Sequence, residues 1–169
     1  MTQKLGKGMI IAAWVGVAAL LTFAFQRYLD HARNPNQKLQ VVGTAAIPEI
    51  VLERNRYGHY VATGSINDVS ADFLLDTGAT HVAVPQALAR KLRLTPGPMV
   101  SVTTANGVIR IHTARLDKVA LGPIVLHNVR ATIHPHMQND EVLLGMAFLR
   151  ELEFTQRGDR LMLRQLPGT

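Results

Sequence analysis

The sequence predicts an all-β domain with one or two short helices, preceded by a single N-terminal apolar helix, and three observations carry that expectation. Met9 to Phe25 is a run of seventeen residues without a charge. From Ile47 onward, short runs rich in Val, Ile, Leu and Thr alternate with Gly, Pro and Asn-Asp clusters, which punctuate strands and turns rather than long helices. The apolar stretch Phe73-Leu74-Leu75 then ends abruptly in Asp76-Thr77-Gly78-Ala79-Thr80, a strand delivering an acid into a turn. A chain of 169 residues has room for one ordinary domain and an appendage.

As a helix, residues 9–25 would cover roughly 25 Å, the short end of what crosses a bilayer. Lys7 and Arg27 can snorkel to make up the difference. The run has no polar face, which argues against a helix buried in a soluble core. A cleaved signal peptide is the competing reading, with Thr22-Phe23-Ala24 as a poor small-x-small site. The run is long for such a signal, and phenylalanines occupy the place that cleavage needs, so a retained transmembrane anchor is preferred. Lys4, Lys7 and the terminal amine outweigh Arg27, itself partly offset by Asp30. That asymmetry places residues 1–8 in the cytoplasm and the body on the opposite side of the membrane. Residues 26–44, with Asn34-Pro35-Asn36-Gln37 at their centre, lack apolar periodicity and read as a flexible linker reaching roughly 25 Å root-mean-square. Residues 45–169 form the domain. Of the formal charge of +6, residues 1–44 carry +4 and the rest only +2, so the basic excess flanks the apolar run and is no footprint for nucleic acid. The absence of cysteine neither supports nor opposes export.

Within the domain, Ile50-Val51-Leu52 leads to the turn signal Asn55-Arg56-Tyr57-Gly58, and Tyr60-Val61-Ala62-Thr63 returns as its hairpin partner. Asn67-Asp68 makes the next turn, and Ala71 to Leu75 is the strand that ends at Asp76. A short helix follows at Gln86–Leu92 with Pro85 at its start, and Pro96-Gly97-Pro98 closes that segment. Val100–Thr103 and Val108–Ile111 flank Asn106-Gly107, a strong signal for a tight hairpin. Leu116–Leu121 and Ile124–Ile133 are strands about Gly122-Pro123, and a polar loop from His134 to Glu141 enters Val142-Leu143-Leu144. Ala147–Leu152 is a second short helix. Phe154 and Leu161-Met162-Leu163 suggest a last hairpin about Arg157-Gly158-Asp159.

Asp76 is bracketed by Phe73-Leu74-Leu75 and by Val82-Ala83-Val84, which places it in a partly dry cleft. Gly78 allows a tight turn, Thr77 offers a hydroxyl, and backbone N–H groups in such a turn can hold a carboxylate. A plain turn, in which Asp caps its own backbone, is the structural alternative. A second stretch, Val142 to Leu149, is the same kind of object: an apolar strand, then Gly145, then an apolar helix start.

Together, Asp76-Thr77-Gly78-Ala79-Thr80 and Leu143-Leu144-Gly145 resemble the two signature elements of the retropepsin-type aspartic proteases. The likeness runs over roughly residues 47–166 and is nearest to the membrane-anchored, retropepsin-like proteases of bacteria, which implies a single-pass protein of a bacterial inner membrane with the domain on the periplasmic side. It implies a retropepsin-like acid protease barrel in which Asp76 is catalytic and Thr77, Gly78, Ala79 and Thr80 support its loop. It also implies that the strand Leu143-Leu144 threads beside that loop, with Gly145 allowing close approach. The hairpin around Ala105, Asn106 and Gly107 would be the flap that closes over a polypeptide substrate, although an ordinary surface hairpin fits the residues equally. The terminal strands form a dimer sheet in the retropepsins.

Cleaving an amide with carboxylates alone needs two of them, one to take a proton from water and one to protonate the carbonyl oxygen. This chain has one D-T-G and no visible repeat, so a catalytic Asp76 demands a homodimer with the cleft on its two-fold axis. No cofactor or metal is implied. His134-x-His136, His112 and His127 are the candidates for a metal site, but no Cys and no H-E-x-x-H accompany them, and solvated loop histidines are the simpler account. No G-x-S-x-G, no nucleophilic Cys and no phosphate-binding Gly-rich loop is present either. The alternative to an enzyme is a catalytically silent, membrane-tethered β domain that binds peptides or dimerises.

Overall fold

The computed structural model describes residues 2–44, 47–104, 107–137 and 140–166. It opens with α1, Thr2–Arg33, a helix of 32 residues that is about 48 Å long at helical rise. Gly8–Arg33 is long and apolar enough to cross a membrane, and none of that stretch is buried by the rest of the chain. Asn34 still donates its N–H to the Asp30 carbonyl at 2.9 Å, and Pro35 ends the helix by disfavouring helical backbone before it.

Among the described residues, eleven strands follow in two sheets. The smaller contains β1 (Gln40–Val41), β2 (Glu49–Glu53), β10 (Leu152–Arg157) and β11 (Arg160–Gln165), in the order β1-β2-β11-β10. The larger contains β3 (Val61–Ile66), β4 (Val69–Leu75), β5 (Val82–Pro85), β6 (Met99–Thr104), β7 (Gly107–Leu121), β8 (Ile124–His134) and β9 (Val142–Leu144), in the order β3-β4-β9-β5-β8-β7-β6. Ser65 and Ile66 of β3 also pair with Ala120 and Val119 of β7, so the sheet closes into a barrel with β6 left outside. One apolar core joins both sheets: Ile50, Leu52 and Leu163 from the smaller pack with Phe73, Leu116, Leu121, Leu144 and Phe148. Two short helices, α2 (Gln86–Lys91) and α3 (Met146–Leu149), bury Ala89 and the Phe148-Leu149 pair against it.

Several expectations change at this level. Ile50–Leu52 and Tyr60–Thr63 do not form a hairpin: β2 pairs with β1 and β11, and β3 pairs with β4. The turn at Asn55–Gly58 is real, with the Asn55 side chain accepting from the N–H groups of Tyr57 and His59, but it passes the chain from one sheet to the other. The two strands expected at 108–111 and 116–121 are one continuous β7. Val82–Pro85 is a strand as well, so Pro85 is the N-cap of α2 and not its first helical residue. The second helix ends at Leu149, because Leu152 already opens β10.

Residues 26–44 also depart from the flexible linker expected of them. The helix continues to Arg33, the side chains of Asn34 and Asn36 are 3% and 4% exposed, and Gln40–Val41 pairs with β2. Asn36 bridges the two sheets: its amide donates to the carbonyls of Glu53 and Val61 at 2.9 and 2.7 Å, and its oxygen accepts from the Glu53 N–H at 2.7 Å.

Candidate active site

Asp76 is the first residue past β4, and the neighbouring strand sets its position. β4 runs parallel to β9 with Leu74 opposite Leu143 and Leu75 opposite Leu144, and the Asp76 N–H donates to the Leu144 carbonyl at 3.2 Å. β9 in turn lies between β4 and β5, pairing with β5 at Ala83 and Leu143. The loop leaving β4 and the strand returning to β5 therefore wrap around β9. At the crossing the backbones are too close for a side chain. A Cβ on Gly145 would fall onto the carbonyl oxygens of Ala79 and His81, a contact real side chains do not make. The α3 end of the same segment clamps the loop from below, with the Met146 and Ala147 N–H groups donating to the Ala79 and Thr80 carbonyls at 2.8 and 2.9 Å.

The carboxylate itself accepts a hydrogen bond from the Gly78 N–H at 2.9 Å, and the Ala79 N–H closes the turn onto the Asp76 carbonyl at 3.2 Å. Asp76 is half-buried, whereas Thr77, Gly78 and Thr80 are exposed. A cleft of about 330 Å³ lies against Asp76 and Thr77, with Tyr60, Leu149, Phe154, Leu161 and Leu163 among its other walls. Asp76 is the only acid among the described residues lining it. Phe154, on the outer strand of the smaller sheet, is 44% exposed at this cleft. The loop thus brings together the sequence-predicted Asp76, Thr77, Gly78, Ala79 and Thr80 with Leu143, Leu144 and Gly145.

On the other flank of the loop, His81 enters a second cleft of about 410 Å³ whose walls include Gly97, Val100, Val102, Thr113 and Thr132. Val100 and Val102 belong to β6, which pairs only with β7, and residues 107–111 of β7 pair only with β6. This hairpin is an arm projecting beyond the barrel, and Val108 near its tip is 69% exposed. Ala105 and Asn106, expected as flap residues, lie outside the described residues. Gly107 faces Thr104 as the first paired residue of β7, with φ of 110°.

Three of the four candidate histidines are separately engaged. His112 Nδ1 lies 3.0 Å from the Gly97 carbonyl and His127 Nδ1 lies 3.2 Å from that of Asp117. His134, expected to be a solvated loop residue, ends β8 instead, half-buried with Nε2 3.0 Å from the Thr132 hydroxyl. Burial favours its neutral ring and pushes its pKa below the usual histidine value. Among the described residues no group of three His, Asp or Glu side chains is disposed to hold a metal ion.

Three residues at these clefts carry no signal that singles them out in the sequence. Tyr60 presents a buried hydroxyl for which the described residues supply no partner, and Phe154 looks like any strand aromatic. His81 follows the D-T-G-A-T run directly and could be found only by extending that motif by one residue.

Comparison with known proteins supports the same picture. Residues 62–151 match the family described as "gag-polyprotein putative aspartyl protease". A protein of Sinorhizobium sp., described as an uncharacterized protein in the cobV 5′ region, is 33% identical over 96% of this chain and 76% of its own length. A Rickettsia prowazekii protein, the uncharacterized protein RP867, is 28% identical over 79% of this chain, which spans 56% of that protein's length. Among solved structures, a retropepsin-like aspartic protease from Rickettsia conorii superposes with a TM-score of 0.57 at 26% identity, over 76% of this chain and 95% of the other.

Proposed function

Because this chain belongs to the gag-polyprotein aspartyl protease family and has the retropepsin-like fold, we propose that it is an aspartic endopeptidase working as a homodimer through two copies of Asp76. The observation that carries this reading is the crossing of β9 with the Asp76 loop. A half-buried carboxylate is held there by a backbone N–H, in a cleft whose described walls contain no other acid. One carboxylate makes half a site. A second copy of the chain related by a two-fold axis through the cleft supplies the other, and two such groups side by side share one proton because both cannot ionise cheaply.

In the reaction, the ionised Asp76 accepts a proton from a water positioned between the two. The protonated Asp76 donates to the peptide carbonyl oxygen as the water oxygen bonds to its carbon. Collapse of the tetrahedral intermediate returns a proton to the amine as the C–N bond breaks. Thr77, Gly78, Ala79 and Thr80 shape the loop, Leu143, Leu144 and Gly145 hold it, and the β6–β7 arm covers an extended substrate, with Ala105, Asn106 and Gly107 as the flap residues. The exposed Phe154 and the free edge of β10 form part of the subunit contact. α1 is a single-pass anchor in a bacterial inner membrane, with residues 9–25 in the bilayer and the domain on the periplasmic side.

Full-length protein in detergent should cleave an unfolded polypeptide such as reduced casein. Asp76→Asn should remove that activity while leaving the melting profile in place. Equal peptidase activity in the Asp76→Asn variant would overturn this assignment and leave a silent, tethered β domain.

A further inference from the structure

The junction between α1 and the domain is built as a clasp, and its chemistry bears on what the enzyme can reach. Arg33 Nε meets Glu141 Oε1 at 2.7 Å, with Glu141 nearly buried and standing directly before β9. The Asn34 amide donates to Thr63 Oγ1 at 2.9 Å and to Asp72 Oδ1 at 3.1 Å, and Asp72 lies on β4, four residues ahead of Asp76. Asn55 Nδ2 caps the end of the helix by donating to the Arg33 carbonyl at 2.9 Å. The Thr63 N–H donates to the Asn36 carbonyl at 3.2 Å, extending β3 by a bridge onto the segment itself. The helix end is therefore fastened to β4 and to the approach of β9, the two strands that set the Asp76 loop.

A fastened junction fixes height. From Phe25 to Arg33 the helix rises about 12 Å, and from Asp72 to Asp76 the strand advances about 13 Å. With the side chains of the clasp added, the Asp76 carboxylate lies no more than about 40 Å from the edge of the hydrocarbon. A free linker of the same length could instead extend to roughly 65 Å before the domain begins. The two anchors of a dimer must also enter one bilayer, so rigid junctions hold the two-fold axis, and the cleft on it, near the membrane normal.

We infer that the Arg33–Asn36 clasp makes this chain a protease for the extramembrane segments of other membrane-anchored proteins, cutting only sites whose tether can reach the held cleft, a minimum tether of at most about a dozen extended residues from the substrate's own span. The inference rests on the reading of Asp76 as catalytic and of α1 as an anchor. Shared confinement to one bilayer raises the effective concentration of such substrates, and the fixed height selects which part of them is cut.

The test uses full-length protein in vesicles of phosphatidylethanolamine and phosphatidylglycerol. Its substrates are single-span proteins carrying one casein-derived site, which the detergent-solubilised enzyme cuts in an Asp76-dependent manner, placed in a series from about 2 to about 40 residues from the span; at 3.3 Å per residue the shortest tethers cannot reach a cleft held above the bilayer and those longer than about a dozen residues can. A variant with twenty Gly/Ser residues inserted between Arg27 and Tyr28 keeps the clasp but releases the height. Wild type should show a sharp tether-length threshold at or below about a dozen residues, cutting sites beyond it at least tenfold faster than sites short of it, and the insertion should blur that threshold with soluble casein hydrolysis unchanged. The same length profile in the two proteins would overturn the inference. A second readout needs no activity: the chain has no cysteine, so Asp117→Cys can carry a donor dye for energy transfer to labelled lipid headgroups. A narrow distance distribution in wild type that broadens on insertion supports the clasp; one equally broad in both refutes it. Casein cleavage that survives Asp76→Asn would refute the protease reading instead, leaving the distance measurement to decide the clasp.

Discussion

At the scale of single residues, the account concentrates on Asp76 and the Gly78 N–H that holds its carboxylate. Asn at position 76 keeps an oxygen for that bond but cannot act as base or acid. Asp76→Asn should therefore lower kcat by about 10²- to 10⁴-fold, the usual worth of a general acid–base group. Its unfolding free energy should stay within about 1 kcal/mol of wild type, since the side chain is only half-buried. Calorimetry and a peptidase assay on the same preparation check both halves. His134 gives the pH prediction. Its folded pKa is lowered by burial, so as pH falls the unfolded chain takes the proton first, near the ordinary value of about 6.5. The stability it contributes is complete above that value, declines as pH drops toward the lowered folded pKa, and is constant below it. Denaturant melts between pH 7.5 and 5 should show a shallower decline for His134→Gln than for wild type; parallel curves would contradict this.

At the scale of elements, the strands were legible and their partners were less so. Asp76 at a strand end, the Gly145 approach and the last hairpin all announce themselves through local pattern: an apolar run cut short, a lone glycine after a strand, a turn at Gly158-Asp159. The partner of β2 does not, because Ile50–Leu52 pairs with Leu161–Leu163, more than a hundred residues away, while the sequence offers a nearer partner across the Asn55 turn. The Asn-Pro-Asn stretch misleads for another reason. Polar residues that satisfy buried backbone look, by composition, the same as polar residues facing water. Asn36 is the test of that point. Asn36→Ala leaves the Glu53 N–H and the Glu53 and Val61 carbonyls without this partner, and should destabilise the fold by about 3 kcal/mol or more, read from urea unfolding. The edge strand β10 carries the corresponding expectation for assembly. Phe154→Lys puts a charge on an exposed position beside the Asp76 cleft, so the monomer should fold as before while dimer and activity are lost together, as sedimentation and the peptidase assay would show.

At the scale of the whole molecule, the proposed enzyme is a pair of halves on a pair of anchors. One D-T-G in each chain and a cleft with a single acid among its described walls leave the proposed reaction short of a carboxylate until a second chain arrives. Confinement to a bilayer favours that encounter by raising effective concentration without any new contact. The most direct test of this shared site is to mix wild-type chains with increasing Asp76→Asn chains, after mass spectrometry of isotopically labelled subunits has established exchange. Inactive partners should trap wild-type chains in dead heterodimers, so activity should fall well below that of the same amount of wild type alone, toward zero at large excess. Activity that stays proportional to the wild-type chains present, with exchange complete, would mean that one Asp76 suffices and that the site is not shared.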